Sequence, residues 1–362
     1  MTHKEFTQLR LCNQRIYCSK SSSPQELVRW MGAMQAQDYN MVKWALGIRL
    51  PGSRLGTIED AIEDGSIIRT HLLRPTWHFV AAEDLRWMLE LTTPHIKSAM
   101  RSRLKQLGLS KSVLTKSKRV IERALSDGKQ ITRKQLVADL ENAGFENTDN
   151  RASHLLINAE LDGLICSGAT QGNQYTYVLL EERIPTLGKK LNRDEALRAL
   201  AHRYFTSHGP ASLKDFAWWS GLPVADARSA LDKIKADFRS VKFKSVLYWF
   251  GDSENFQITN AGSVHLLPAY DEYLISYKTR SVSMAENAEE KAISNNGLFR
   301  PVVVVDGQVA GTWKRSKQHS KVNIEVQFFT KPNKTVAKQT EQAAHRYADF
   351  LGKELEISWM QR

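Results

Sequence analysis

Two glutamines, Gln35 and Gln37, flank Ala36 in the segment Met31-Gly32-Ala33-Met34-Gln35-Ala36-Gln37-Asp38-Tyr39-Asn40. A primary amide donates and accepts hydrogen bonds but is no general base near neutral pH, so its chemistry is orientation rather than proton abstraction. On a regular helix, residues two apart point about 200° away from each other. The two amides converge only where the helix has ended and the chain is extended or turning, so that i and i+2 share a side. Asp38 and Asn40, both turn formers, favour such an ending. Polar residues at a helix end also serve as caps or interface hydrogen-bonding groups, so the tripeptide alone assigns no role. Asp38 is a competing candidate as base or electrostatic stabiliser, against its use as an Asx cap.

The elements that must position these residues follow one plan three times. Ser23-Pro24 opens a helix, with Ser at the N-cap and Pro at the first helical position, and Leu27, Trp30, Met31 and Met34 recur at helical spacing. A second helix is predicted over 40–50. A third starts at Thr57, with Asp60 as a short capping box, and leads into a strand over 76–80. In the next stretch, helices are predicted over 119–125, 133–142 (capped by Thr132) and 151–161, followed by strands over 164–166 and 175–180. Three helices and a two-stranded wing make a winged helix. A third such unit has helices from Asp194, from Ser212 to Trp219 and over 224–234, then strands within 241–250. The three form a weak repeat of roughly 70–90 residues. From about Ala261 the pattern turns to strands. A hairpin is predicted over 299–313 around Asp306-Gly307, then a strand over 322–329, a helix over 335–351 and a last strand over 355–359.

The fold class is therefore α+β, with three tandem winged-helix units and a C-terminal β-rich domain expected to be a small barrel or curled sheet. The expected divisions are 1–95, carrying the glutamine motif; 96–188, a basic linker and second unit; 189–258, the third; and 259–362, the barrel-like domain with its hairpin.

The chain has 362 residues, 51 Lys and Arg against 39 Asp and Glu, and a formal net charge of +12, which favours an anionic partner, nucleic acid first. No acidic residue lies between Glu90 and Glu122, an interval holding Arg101, Arg103 and Lys105 among other cations; Lys314, Arg315 and Lys317 follow the predicted hairpin. Segregated basic charge displaces counterions from a phosphate backbone; the alternative is a solvated face. No stretch has the length and apolarity of a membrane span, and the N-terminal residues lack a signal peptide's apolar run, so a soluble cytosolic protein, associated with the nucleoid and not with a membrane, is expected. Three cysteines make no disulfide framework, and no Cys/His spacing suits zinc, so no metal or cofactor is expected. Without a carboxylate cluster for paired metals, a nuclease is disfavoured.

The chain resembles the winged-helix family that includes the AlkZ-like DNA glycosylases. Four stretches carry the resemblance: Met34-Gln35-Ala36-Gln37-Asp38; Arg69-Thr70-His71-Leu72-Leu73-Arg74-Pro75-Thr76-Trp77-His78-Phe79-Val80 with Glu83-Asp84-Leu85-Arg86-Trp87; Leu266-Leu267-Pro268-Ala269-Tyr270-Asp271-Glu272-Tyr273 with Arg280; and Arg300-Pro301-Val302-Val303-Val304-Val305-Asp306-Gly307 ending at Gly311-Thr312-Trp313. Together they span nearly the whole chain in the family's order. The resemblance implies a C-shape closing around double-stranded DNA, a monomer, and excision of alkylated purines, including bulky or crosslinked N7-alkylguanine. It implies that Gln35 and Gln37 are the catalytic pair, positioning water and stabilising an oxocarbenium-like sugar. Some relatives carry an acid at the second of these positions; this chain does not, and its form resembles the branch associated with crosslinker self-resistance.

Other residues keep two readings. Arg74 is a candidate phosphate clamp or the partner of an acid from the C-terminal domain. His78 is a DNA-contact candidate or, like His71, a satisfied buried histidine. Trp77 and Trp87 are expected in the core, Trp218-Trp219 in inter-domain packing, and Asp271 in an ion pair with Arg280. The hairpin at Asp306-Gly307 either enters a minor groove or is an ordinary surface turn. The rivals to an enzyme are a non-catalytic winged-helix DNA binder, such as a transcriptional regulator, and a protein-interaction module.

Overall fold

The computed structural model describes residues 1–18, 21–172, 174–184, 190–252 and 262–360. The expected boundaries at 188/189 and 258/259, and the change of pattern at Ala261, lie outside the described residues. The chain opens with a helix the sequence reading did not anticipate, α1 (His3–Asn13), capped reciprocally by Thr2 and Glu5. Ser23 caps α2 (Pro24–Met31), accepting from the Glu26 N–H at 3.1 Å. Gly32, at φ +80°, ends that helix where a Cβ would lie 3.3 Å from the Trp219 ring. The chain then runs extended as β1 (Met34–Gln35), followed by α3 (Tyr39–Gly47) and α4 (Leu55–Glu63). The cap expected at Thr57 is not used: α4 begins two residues earlier, behind Arg54, with no side-chain cap. The strands β2 (Ile67–Leu72) and β3 (Thr76–Ala81) complete a sheet in the order β1-β3-β2.

The basic stretch read as a linker is helical. α5 (Ala82–Gln106) runs on through Pro94, whose ring removes an i→i−4 bond at a cost of about 3 kcal/mol. Burial of Met88, Leu89, Leu91, Ile96 and Met100 on either side offsets that loss. α6 (Lys111–Leu125) starts at the Ser110 cap, so the predicted 119–125 segment is only its second half. The strand β4 (Ile131–Thr132), α7 (Arg133–Asn142), α8 (Arg151–Leu161), β5 (Ile165–Ser167) and β6 (Thr176–Leu179) follow, with the strands ordered β4-β6-β5 and a short α9 (Leu180–Arg183) behind them. Next come α10 (Arg193–His208), α11 (Leu213–Ser220), α12 (Val224–Asp232) and the hairpin β7 (Arg239–Phe243) with β8 (Val246–Phe250).

The C-terminal strands are β9 (Val264–Leu267), β10 (Val302–Val305), β11 (Gln308–Lys317), β12 (Lys321–Phe328) and β13 (Glu354–Trp359), in the order β13-β12-β11-β10-β9. The helices α13 (Glu272–Ile275) and α14 (Glu286–Ala292) lie between β9 and β10, and α15 (Lys334–Leu351) connects β12 to the parallel β13. The barrel expectation is corrected. The α15 crossover carries β13 outward to an edge of the sheet, and β9 forms the other edge instead of pairing with it.

One core joins Val42, Trp44 and Leu46 to Leu266, Trp313, Tyr347 and Phe350; a second joins Val80, Leu85 and Met88 to Leu200, Phe205 and Trp219; a third joins α6, α7 and α8 to Ile165 of β5 and Tyr177 of β6. Burial of each such side chain stabilises the fold by roughly 1.5–3 kcal/mol. The glutamine segment lies on the seam of the first two, with Ala33 in one and Met34 and Ala36 in the other.

Candidate active site

The chain leaves β1 at Gln35 and bends at Gln37, and both glutamines face one cavity. Gln35 pairs with His78 across β1 and β3, the Ala36 N–H donates to the Trp77 carbonyl at 2.7 Å, and Arg69 binds the Ala36 carbonyl at 3.0 Å. Ala36 is fully buried, and Gln35 and Gln37 on either side of it line one open cavity of about 600 Å3. Gln35 is 7% exposed and Gln37 is exposed. Asp38 is turned to the helix: its Oδ1 accepts from the Asn40 and Met41 N–H groups at 3.1 and 3.0 Å, capping α3.

Arg74, Trp218, Tyr270, Arg280 and Phe299 form the rest of the wall that matters chemically. Arg74 is half-buried, donates through Nη2 to Gln35 Oε1 at 2.7 Å, and lies over the Trp218 ring at 5.4 Å. Tyr270 at this wall holds left-handed backbone at φ +57°, as does the buried Leu73 that precedes Arg74, at +59°, a conformation non-glycine residues adopt only where their surroundings enforce it.

Behind Gln35 lies a residue that sequence reasoning quoted but gave no role. Glu272 is 2% exposed, and its Oε1 accepts the Gln35 backbone N–H at 2.5 Å. Its Oε2 takes the Ser276 hydroxyl and lies 3.5 Å from His208 Nε2. Burial opposes ionisation, but the neighbouring His208 and hydrogen bonds from Ser276 and the Gln35 N–H outweigh it and hold the carboxyl down to about 2. Its sequence signal was faint, an acid in an apolar run.

The other candidates divide. His78 has no solvent exposure; its Nδ1 contacts the Thr76 carbonyl at 2.9 Å, and burial followed by the Arg74 charge pushes its pKa down to about 3. The DNA-contact reading of His78 is corrected: a neutral imidazole sealed inside the sheet reaches no phosphate. His71 is satisfied by Glu160 at 2.8 Å. Arg101, Arg103 and Lys105 are all exposed on the last turns of α5, while Lys97 and Lys118 are tied to Asp162. Lys314 is exposed and Arg315 half-buried on β11; the Lys317 side chain lies outside the described ones. The hairpin turn is not free to enter a groove: Tyr273 donates to the Gly307 carbonyl at 2.8 Å, and a Cβ on Gly307 would lie 2.5 Å from Thr7, so α1 covers it. Trp87 is 4% exposed, as expected of core, and Trp218 donates to the Ile275 carbonyl at 2.9 Å. The expected Asp271–Arg280 pair is corrected. Asp271 instead takes Arg49, buried beside it, while Arg280 donates to the Leu274 carbonyl at 3.0 Å and lies 3.5 Å from Glu289.

Among the described residues no group of three or more His, Cys, Asp or Glu is placed to hold a metal ion, and no helix is long and apolar enough to cross a membrane.

A family model described as DNA glycosylase AlkZ-like matches residues 28–350. An interstrand DNA cross-link repair glycosylase from Streptomyces sahachiroi is 23% identical over 337 residues, 89% of this chain and 90% of that protein. The solved structure of the DNA glycosylase AlkZ from the same organism is similar in fold, with a TM-score of 0.84, 20% identity, and coverage of 99% of this chain and 100% of that one.

Proposed function

The chain belongs to the AlkZ-like DNA glycosylase family, and on that premise we propose that it is a monofunctional DNA repair glycosylase hydrolysing the N-glycosidic bond of alkylated purines in duplex DNA. N7-alkylguanine is the first substrate class, extending to bulky adducts and interstrand crosslinks, the lesion for which the Streptomyces relative is named. The observation that carries the reading is the placement of Gln35 and Gln37 in one open cavity, with Ala36 buried between them.

Alkylation at N7 puts a positive charge on guanine, so the base leaves with the glycosidic electron pair and needs no acid. Cleavage passes through an oxocarbenium-like sugar, as in glycoside hydrolysis. A water adds its oxygen to C1′ and releases a proton to solvent. Gln35 and Gln37 together orient that water, and the Gln37 carbonyl, the amide oxygen not committed to Arg74, sets its dipole beside the developing charge. Neither takes a proton.

In this reading the three winged-helix units, divided as above, close as a C around the duplex in a single cytosolic, nucleoid-bound protomer that uses no cofactor. Arg101, Arg103 and Lys105 on α5, with Lys314, Arg315 and Lys317 on β11, contact phosphates. The test is incubation with a duplex bearing one N7-methylguanine, scored for abasic sites. Time-dependent base release supports an enzyme; tight duplex binding without any release assigns a non-catalytic DNA-binding protein.

A further inference from the structure

Gln35 is held at two points by groups of opposite charge. Its side-chain Oε1 accepts from Arg74 Nη2 at 2.7 Å, and its backbone N–H donates to Glu272 Oε1 at 2.5 Å. An arginine donates only, so the amide oxygen must face Arg74; the inverted amide would set its NH2 against the guanidinium. Glu272 is inaccessible to DNA, at 2% exposure; burial lowers the Arg74 pKa and the Glu272 charge works against that. Gln37 makes no side-chain hydrogen bond among the described residues, so its amide is free to turn toward a ligand.

We propose that Arg74 and Glu272 are positioning residues for Gln35, fixing its amide so that the NH2 addresses the oxygen of the attacking water while the Gln37 carbonyl accepts from that water. The inference rests on the glycosylase reading and deepens it. Neither residue touches the sugar; both act through Gln35, one at the side chain and one at the backbone. Arg74 is thereby removed from the phosphate contacts.

The experiment measures single-turnover base release from a duplex carrying one N7-methylguanine, duplex Kd as a function of salt, and thermal unfolding. The variants are Arg74→Lys, Glu272→Gln, Gln35→Ala and each of the first two combined with Gln35→Ala. Release is expected to slow by about 10- to 100-fold in Arg74→Lys and Glu272→Gln, the cost of a misplaced group, at unchanged Kd and salt dependence. In the Gln35→Ala background neither change is expected to slow release further, because residues acting through one group are not additive. A lysine is an adequate point charge for phosphate but does not reproduce the guanidinium geometry. Wild-type release by Arg74→Lys would overturn positioning in favour of a phosphate contact, which the lysine charge maintains. If Glu272→Gln fails to fold, Arg74→Lys, which keeps the charge and most of the side-chain volume, decides alone. Wild-type release by Gln35→Ala removes the catalytic reading itself, a result distinct from failure of the positioning variants with Gln35→Ala inactive.

Discussion

Arg49 and Asp271 face each other with no solvent access, Nη1 to Oδ2 and Nη2 to Oδ1, each at 2.8 Å, across the seam between α3 and the C-terminal sheet. The same carboxylate caps α13 by accepting the Tyr273 N–H at 2.9 Å, so it sets the helix that begins at Glu272. Removing one partner of a buried pair costs about 3–5 kcal/mol, because the other charge stays buried and uncompensated. Asp271→Asn is expected to lower the urea midpoint accordingly and, through Glu272, to slow base release. An unchanged midpoint would show that the pair adds nothing to stability.

Stability is expected to fall on acidification in two stages. Burial, aided by Arg74 beside His78 and by Arg346 beside His265, pushes both imidazoles from 6.5 to about 3. The folded protein therefore binds fewer protons than the unfolded chain between those values, and this contribution is whole above pH 6.5 and lost as pH falls toward 3. Glu272, held at about 2 against 4.5, adds a further loss between those two values. Both nitrogens of His265 are buried without a hydrogen-bond partner. His265→Leu is expected to leave Tm at pH 7.5 equal or higher, since an apolar side chain removes two unsatisfied atoms, and to flatten the decline below pH 6.5. A slope identical to wild type would contradict the assignment of that decline to buried histidine.

The cations on α5 are expected to contribute affinity without lesion specificity. Replacing Arg101, Arg103 and Lys105 together by Ala should weaken binding to damaged and undamaged duplex alike and lower the salt slope by about 0.9 for each phosphate that a cation no longer neutralises. Equal salt slopes in the variant and the wild type would place the DNA elsewhere.

Much of the fold was legible because its signals are local. Ser23 and Thr132 mark helix starts with side chains that accept nearby backbone N–H groups, Gly163 at φ +69° marks the end of α8, and α8 falls on its predicted bounds. The misses are tertiary. Pro94 and the run of cations hid α5, whose stability comes from residues packed against other helices. Asp306-Gly307 makes the tight turn its composition predicts, but nothing near it in sequence tells that Thr7 and Tyr273 cover it. For the site, the need for an extended or turning Gln35-Ala36-Gln37 was readable from side-chain periodicity; Glu272, 237 residues away, was not.

The most direct measurement is base release from a duplex carrying one N7-methylguanine by Gln35→Ala/Gln37→Ala, alongside its duplex Kd. Loss of abasic-site formation at an unchanged Kd is expected. Release at the wild-type rate would contradict the claim that two neutral amides run this reaction.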